Sequence, residues 1–117
     1  MEYGSDLKDR LFEFAAEVVI MLMEWKIRKE TDVIRYQLSK AATSSGANYE
    51  EAQAAISRRE FGVKVAISLK EMRESNFWLR IIVRIDPTNE KAKELLTESE
   101  ELMKILGKIN TKINKDK

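Results

Sequence analysis

The sequence predicts an all-α protein, an up-down-up-down bundle of four helices that forms a soluble single domain over residues 1–117. Only one proline and four glycines interrupt the 117 residues, which favours long helices. Apolar residues recur at alternating spacings of three and four in four successive segments, separated by short polar stretches. A composition of 44% hydrophobic and 35% charged residues is too apolar for a disordered chain.

The first predicted helix covers about residues 6–28 and carries two apolar stripes. Ser5 or Asp6 is suited to capping its first turn. A heptad stripe suits the bundle's own core: Leu7, Leu11, Phe14, Val18, Met21 and Trp25. A second stripe lies beside it: Phe12, Ala16, Val19, Met23 and Ile27. Either this helix is central in the bundle, or the second stripe is an oligomer interface, which we favour because large exposed apolar patches mark interfaces.

The second predicted helix covers about residues 32–55, with Thr31 or Asp32 as its cap. Its seam is small and partly polar: Ile34, Leu38, Ala41, Ser45, Asn48, Ala52 and Ala55. Residues 43–48 could instead form a loop, since glycine and asparagine punctuate structure. We predict a continuous helix because the heptad phase runs from Ile34 to Ala55 without a slip.

The third and fourth predicted helices cover about residues 58–85 and 88–113. Ser57 and Glu60 have capping-box spacing, in which each side chain bonds the backbone amide of the other residue. Asp86-Pro87 ends the third helix and suits the start of the fourth. The third seam is Phe61, Val65, Ser68, Met72, Ser75, Leu79 and Ile82, with Trp78, Ile81 and Ile85 as a second cluster. The fourth seam is Ala92, Leu95, Ser99, Leu102, Leu106, Ile109 and Ile113.

The residue types present argue against an enzyme. The chain has no cysteine and no histidine, which excludes a disulfide framework, a zinc finger, a thiol nucleophile and a Ser-His-Asp triad. Two carboxylate pairs, Glu50-Glu51 and Glu71 with Glu74, lack the histidine of carboxylate-bridged metal sites in bundles. We expect both carboxylate pairs to form salt bridges with Lys64, Lys70 and Arg73, and we expect no cofactor, metal ion or small-molecule substrate.

Positive charge is concentrated in the third quarter of a nearly neutral chain. The net charge is +1, but residues 57–85 carry seven basic and three acidic side chains. A possible contact surface for RNA or DNA phosphates comprises Arg58, Arg59, Lys64, Lys70 and Arg73. The alternative is a solvated helix face whose cations pair with carboxylates of the same chain.

Two further features bear on location. The first ten residues are polar and lack the apolar core of a signal peptide. The longest apolar run, at residues 18–23, is far shorter than the ~20 residues that span a bilayer. We therefore expect a cytoplasmic protein with no membrane partner.

Two segments of the sequence carry a resemblance to a known family. They are Ser45-Gly46-Ala47-Asn48-Tyr49-Glu50-Glu51-Ala52-Gln53 and Ser57-Arg58-Arg59-Glu60-Phe61, and the likeness continues through Lys64, Leu69-Lys70-Glu71, Glu74 and Trp78-Leu79. Asp6-Leu7-Lys8 and Phe14-Ala15 extend it toward the start of the chain. The sequence resembles the four-helix-bundle family named after ribosomal RNA intervening sequences, some members of which are encoded within insertions in bacterial 23S ribosomal RNA genes.

This resemblance implies more about assembly than about activity. Family members are up-down bundles, known examples form homopentameric rings, and most have no assigned biochemical function. Related accessory proteins of diversity-generating retroelements are strongly basic pentamers that bind nucleic acid and a reverse transcriptase, whereas this chain is nearly neutral. The resemblance also suggests that Asn48 and Glu51 hydrogen-bond between the second and third helices. Together with Ser45, Ser57 and Glu60, they form a polar motif that we interpret as structural.

We therefore expect a non-enzymatic, homo-oligomeric scaffold or interaction protein, with a pentamer as the expected assembly. The alternative is an accessory protein that binds RNA or DNA through the basic first half of the third helix.

Overall fold

The computed structural model describes the backbone of residues 3–115 and the side chains of residues 6–115. Its helices are α1 (Tyr3–Glu24), α2 (Asp32–Gln53), α3 (Arg58–Ile85) and α4 (Glu90–Lys115), and a 3₁₀ turn at Lys29–Thr31 precedes α2. No strand occurs within residues 3–115. The all-α prediction is therefore confirmed.

The four helices form an up-down bundle that measures 45 × 23 × 21 Å. Each helix contacts the next one along the chain, and α4 returns to contact α1. Over the described backbone, the diagonal pairs α1–α3 and α2–α4 make no contact. The α2–α3 contact is the most extensive and the α1–α4 contact the least extensive, as expected where small residues let α2 and α3 approach closely.

The predicted seams form the buried core. Every helical member of the α1 core stripe is buried, from Leu7 to Met21. The α2 seam differs at one turn, because Tyr49 is 2% exposed whereas Asn48 is half-buried. Buried members of the α3 and α4 seams are Val65, Ser68, Met72, Ser75, Leu79, Ile82, Ala92, Leu95, Ser99, Leu102 and Leu106.

The first helix is displaced toward the N-terminus relative to its prediction. It begins at Tyr3, so Asp6 lies inside the first turn rather than at a cap, and the Ser5 side chain lies outside the described residues. It ends at Glu24 because the Arg35 guanidinium donates to carbonyl oxygens that a longer helix would use, including those of Leu22 and Lys26.

The second helix is continuous from Asp32 to Gln53, without a loop at residues 43–48. Gly46 lies where α2 packs against α1, since a Cβ atom there would be in van der Waals contact with the backbone oxygen of Leu11, at 3.4 Å. Thr31 occupies the N-cap position but caps no amide, because its hydroxyl donates to the carbonyl oxygen of Arg28 at 3.0 Å.

The starts of α3 and α4 show how the chain turns. The Ser57 hydroxyl accepts from the Glu60 amide at 3.0 Å, as the capping box predicts, but Glu60 accepts from the amide of Ile56 rather than that of Ser57. The prediction that α4 begins beside Pro87 is wrong by two residues. Asn89 accepts from the Ala92 amide at 3.0 Å, which places the first helical residue at Glu90.

Candidate interaction surfaces

An exposed apolar surface lies along α1, and we name it the apolar face. It contains the predicted second stripe, since Phe12 is 61% exposed and Met23 77% exposed, while Ala16 and Val19 are half-buried. Phe12, Ala16 and Val19 line a groove between α1 and α2, whose α2 side is formed by Thr43, Gly46, Ala47 and Glu50. The fifth predicted residue, Ile27, is 77% exposed but follows the end of α1.

The sequence analysis missed one central member of this surface. Ile20 is 53% exposed and lines the same groove. It lies four residues after Ala16 and three before Met23, so the heptad spacing could have identified it. Val33 and Tyr36 of α2 are 55% and 64% exposed, which extends the exposed apolar area beyond α1. Large exposed apolar patches mark contact sites in proteins.

The five basic residues predicted to contact nucleic acid do not line one groove. Lys64 is paired with Glu51 of α2 at 2.6 Å, so its charge joins two helices of the bundle. Arg58 and Arg59 line a groove between the start of α3 and the end of α4. Lys70 and Arg73 are exposed further along α3, and Arg73 belongs to a different groove. The expectation that Lys64 forms a salt bridge with a member of the two carboxylate pairs is confirmed, because Glu51 is its partner.

That second groove, the lysine furrow, is formed by α3 and α4. Its cationic lining comprises Arg73, Lys104, Lys108, Lys112 and Lys115, and no carboxylate lines it among the described residues. The sequence analysis did not select the α4 lysines, although 104, 108 and 112 follow a four-residue spacing that puts them on one helix face. Positive charge is therefore also concentrated in the last part of α4, outside residues 57–85.

Buried hydroxyl groups join the helices in the core. The Ser45 hydroxyl donates to the carbonyl oxygen of Ser68, and the Ser68 hydroxyl donates to that of Ser45, both at 2.8 Å. Both side chains are fully buried. The Asn76 amide donates to the Ser99 hydroxyl at 3.0 Å, which links α3 to α4. These hydroxyl groups therefore have hydrogen-bond partners across the helix interfaces, as buried polar groups in folded proteins usually do.

Two other residues of the predicted polar motif have different partners. Glu51 does connect α2 to α3, through its ion pair with Lys64. Asn48 does not bond across that interface: its amide donates to the carbonyl oxygen of Ser44 at 2.9 Å and to the Ser44 hydroxyl at 3.1 Å, both within α2. The reason is positional, because Tyr49 rather than Asn48 faces the core at this turn.

Charged contacts close the bundle between α1 and α4. Arg10 donates two hydrogen bonds to Glu98, at 2.8 and 3.0 Å, and this interaction raises the pKa of Arg10. Lys91 donates to Glu17, and that hydrogen bond raises the pKa of Lys91. Both cations therefore stay charged throughout the physiological pH range, and the two ion pairs supplement the smallest helix contact of the bundle.

The far end of α1 is fixed to the α3–α4 turn. The Trp25 indole N–H donates to the Asp86 carboxylate at 3.0 Å, and the Thr88 hydroxyl donates to the same group at 2.8 Å. Both hydrogen bonds lower the pKa of Asp86, and the one from Thr88 has the larger effect. These three residues hydrogen-bond one another, so the cluster fixes the end of α1 to the turn between α3 and α4.

Two further features of the described part of the chain bear on its chemistry. Within residues 3–115, no group of three or more acidic side chains is arranged so that it could hold a metal ion. None of the described helices is both long and apolar enough to cross a membrane.

Comparisons with known proteins agree with this fold. A family model described as 23S rRNA-intervening sequence protein matches residues 5–108. A crystal structure from Bacteroides thetaiotaomicron, described as a protein with unknown function from the S23 ribosomal protein family, is 32% identical with a TM-score of 0.84. The match covers 94% of this chain and 99% of that one. No curated protein matches the chain. Neither the family nor the similar structure indicates an enzyme.

Proposed function

The chain belongs to the 23S rRNA-intervening sequence protein family, and from this membership we propose that it is a non-enzymatic, self-assembling bundle that serves as a scaffold or interaction protein. The assembly proposed is the homopentamer that the sequence resemblance implies. The observation that carries the proposal is the apolar face, where Phe12, Ile20 and Met23 are each more than half exposed.

A second copy of the chain is the simplest cover for this face. An isolated α1–α2 surface of this kind leaves large side chains in water, and their burial contributes about 25 cal/mol per Å² of apolar area. The face is continuous, since Phe12 and Ile20 line the same groove. Self-association therefore gains free energy without unfolding any part of the bundle core.

Oxidation of the protein's own methionines tests whether the face is covered. Met23 is 77% exposed in the single chain, whereas Met21 and Met72 are 4% and 0% exposed. Oxidation follows exposure. Under dilute hydrogen peroxide, we expect Met23 of the assembled protein to oxidise about as slowly as Met21, as measured by peptide mass spectrometry. Rapid oxidation of Met23 at all protein concentrations would contradict the proposal, and Met72 serves as the internal control.

Binding of RNA or DNA is a second candidate function, favoured by the lysine furrow. Four lysines and one arginine line this groove, and a ring would repeat it in each subunit. The predicted residues Arg58, Arg59 and Lys70 add positive charge elsewhere on α3, whereas Lys64 is engaged by Glu51. Such a surface contacts phosphates and carries no base-reading geometry, so its binding is expected to tolerate sequence changes.

A charge-reversal experiment tests this candidate. We expect Lys108→Glu with Lys112→Glu to weaken binding of a single-stranded RNA or a duplex DNA. The slope of log affinity against log salt should also fall by about one for each phosphate that the variant no longer neutralises. The matched control is Lys26→Glu with Lys29→Glu, which makes the same charge change between α1 and α2. Equal weakening in both variants, or no binding of either polymer at low salt, would remove this candidate.

A further inference from the structure

The outward side of α3 carries a second regular stripe, which we name the α3 stripe. Its members follow spacings of three and four, and all are exposed: Arg59, Val63, Ala66, Lys70, Arg73, Phe77, Arg80 and Arg84. Five of the eight are cations and none is a carboxylate, although the half-buried Glu74 lies beside Lys70. The rise of 1.5 Å per residue gives the stripe a length of about 38 Å.

The larger apolar residues of this stripe lie outside the buried core, although the Phe77 ring packs edge-on against Trp78 with the ring centroids 4.9 Å apart. Val63 is 50% exposed and Phe77 44% exposed. A surface that only binds phosphates does not need exposed apolar side chains, because phosphate contacts are made by charged and hydrogen-bonding groups. Apolar side chains interleaved with arginine and lysine are typical of protein interfaces, where arginine and aromatic residues are enriched. The α3 stripe therefore has the composition of a protein contact.

The apolar face of α1 has the complementary composition. Among residues 6–24, the exposed charged side chains of α1 are Lys8, Asp9, Glu13 and Glu24, so three of the four are carboxylates. Among the described residues, the groove between α1 and α2 is lined by one carboxylate, Glu50, and by no cation. The exposed charge on α1 is therefore mainly negative, whereas that of the α3 stripe is positive.

We propose that the apolar face of one copy docks on the α3 stripe of the next copy. This inference rests on the proposed self-assembly and states which two surfaces meet. The backbones of α1 and α3 are diagonal in the bundle and do not approach each other closely, which puts the two outward surfaces on different sides of it. A contact between different surfaces is head-to-tail, and it closes into a ring when the rotation between neighbours allows closure. Opposite charges along the two surfaces fix the register and exclude contacts between like surfaces.

Charge reversal on each surface, alone and together, tests the pairing. The first variant carries Asp9→Lys and Glu13→Lys, and the second carries Arg59→Glu and Lys70→Glu, all at positions away from the core. The third carries all four changes and so exchanges the charges of the two surfaces. We expect the first two to associate at least tenfold more weakly and the third to recover most of the association, as measured by light scattering. Circular dichroism checks that each variant stays helical.

A crosslinking measurement on the unmodified protein makes the test independent of any variant. A carbodiimide joins carboxylates directly to lysine amines, so we expect a crosslink between Glu13 or Asp9 of one copy and Lys70 of another. Mixing isotopically labelled and unlabelled chains identifies crosslinks between copies.

Each outcome decides the proposal. Recovery in the exchanged variant, with a crosslink between copies, supports it. If the protein assembles but either single-surface reversal leaves its mass unchanged, the pairing is wrong while the proposed self-assembly stands. If reversal of the α3 stripe abolishes RNA binding and leaves assembly intact, the stripe is a nucleic-acid surface and the pairing is again wrong. A single chain at all concentrations overturns both proposals.

Discussion

Replacing Phe12 and Ile20 together by glutamate is expected to convert the assembled protein into folded single chains. The two side chains are 61% and 53% exposed within one chain, so the bundle core does not depend on them. In an assembly, however, the same positions would place two carboxylates in an apolar contact, where an unpaired charge is strongly unfavourable. We expect the mass in solution to fall to the 13.6 kDa of one chain, with helix content unchanged by circular dichroism.

Ile56 provides the matched control. It is 94% exposed in the turn between α2 and α3, away from the apolar face, so Ile56→Glu introduces the same chemistry at a position outside the proposed contact. This variant should keep the mass of the unmodified protein. Retention of the full mass by the Phe12→Glu, Ile20→Glu variant would show that the apolar face is not the interface.

The Ser68→Leu substitution is expected to destabilise the bundle strongly. Ser68 and Ser45 are fully buried and exchange two hydrogen bonds of 2.8 Å at the closest helix pair. A leucine side chain has no space there, and overpacking costs about 1–3 kcal/mol, with about 1 kcal/mol more for each hydrogen bond that is removed. We expect the free energy of unfolding to decrease by about 2–4 kcal/mol, as measured by urea denaturation.

Ser68→Ala is the control for this prediction. It removes one hydroxyl group but adds no volume, so the Ser45 hydroxyl keeps its bond to the carbonyl oxygen of residue 68 and the decrease should be about 1 kcal/mol. Both variants are best measured in the Phe12→Glu, Ile20→Glu background, where association does not contribute to unfolding. A Ser68→Leu protein as stable as the Ser68→Ala protein would mean that α2 and α3 are not closely packed at this point.

Heptad spacing was sufficient to predict the helices and most of the core. The stretch of α2 around Gly46 shows why. The spacing of apolar residues there fits one continuous helix, and Gly46 lies within that helix, against the backbone of α1, rather than in a turn. The same spacing failed to distinguish Asn48 from Tyr49 at one turn of α2, because both positions fit alternating steps of three and four. Only packing against the other helices selects the tyrosine.

Helix ends were less predictable because contacts distant in sequence decide them. The end of α1 depends on Arg35, ten or more residues away, and on Trp25, which donates to Asp86 across the bundle. The start of α4 depends on a choice between Pro87 and Asn89, which are both good initiating residues, and the structure selects Asn89. Short-range patterns contain no information about either choice.

The candidate surfaces could be predicted only in part, for a related reason. The apolar stripe of α1 was recognisable because four of its five residues lie on one helix. The lysine furrow was not, since it joins Arg73 of α3 to lysines about thirty or more residues later. Charge counted along the sequence drew attention to Lys64, whereas the structure gives that cation an acidic partner and groups α4 lysines instead.

The mass of the unmodified protein in solution tests the central claim most directly. Multi-angle light scattering on a sizing column, over a hundredfold range of protein concentration and at low and high salt, gives that mass without reference to shape. Self-assembly through the apolar face predicts a stable species of five times 13.6 kDa. A mass of 13.6 kDa at every concentration would contradict it and would assign the exposed Phe12, Ile20 and Met23 to a different protein partner.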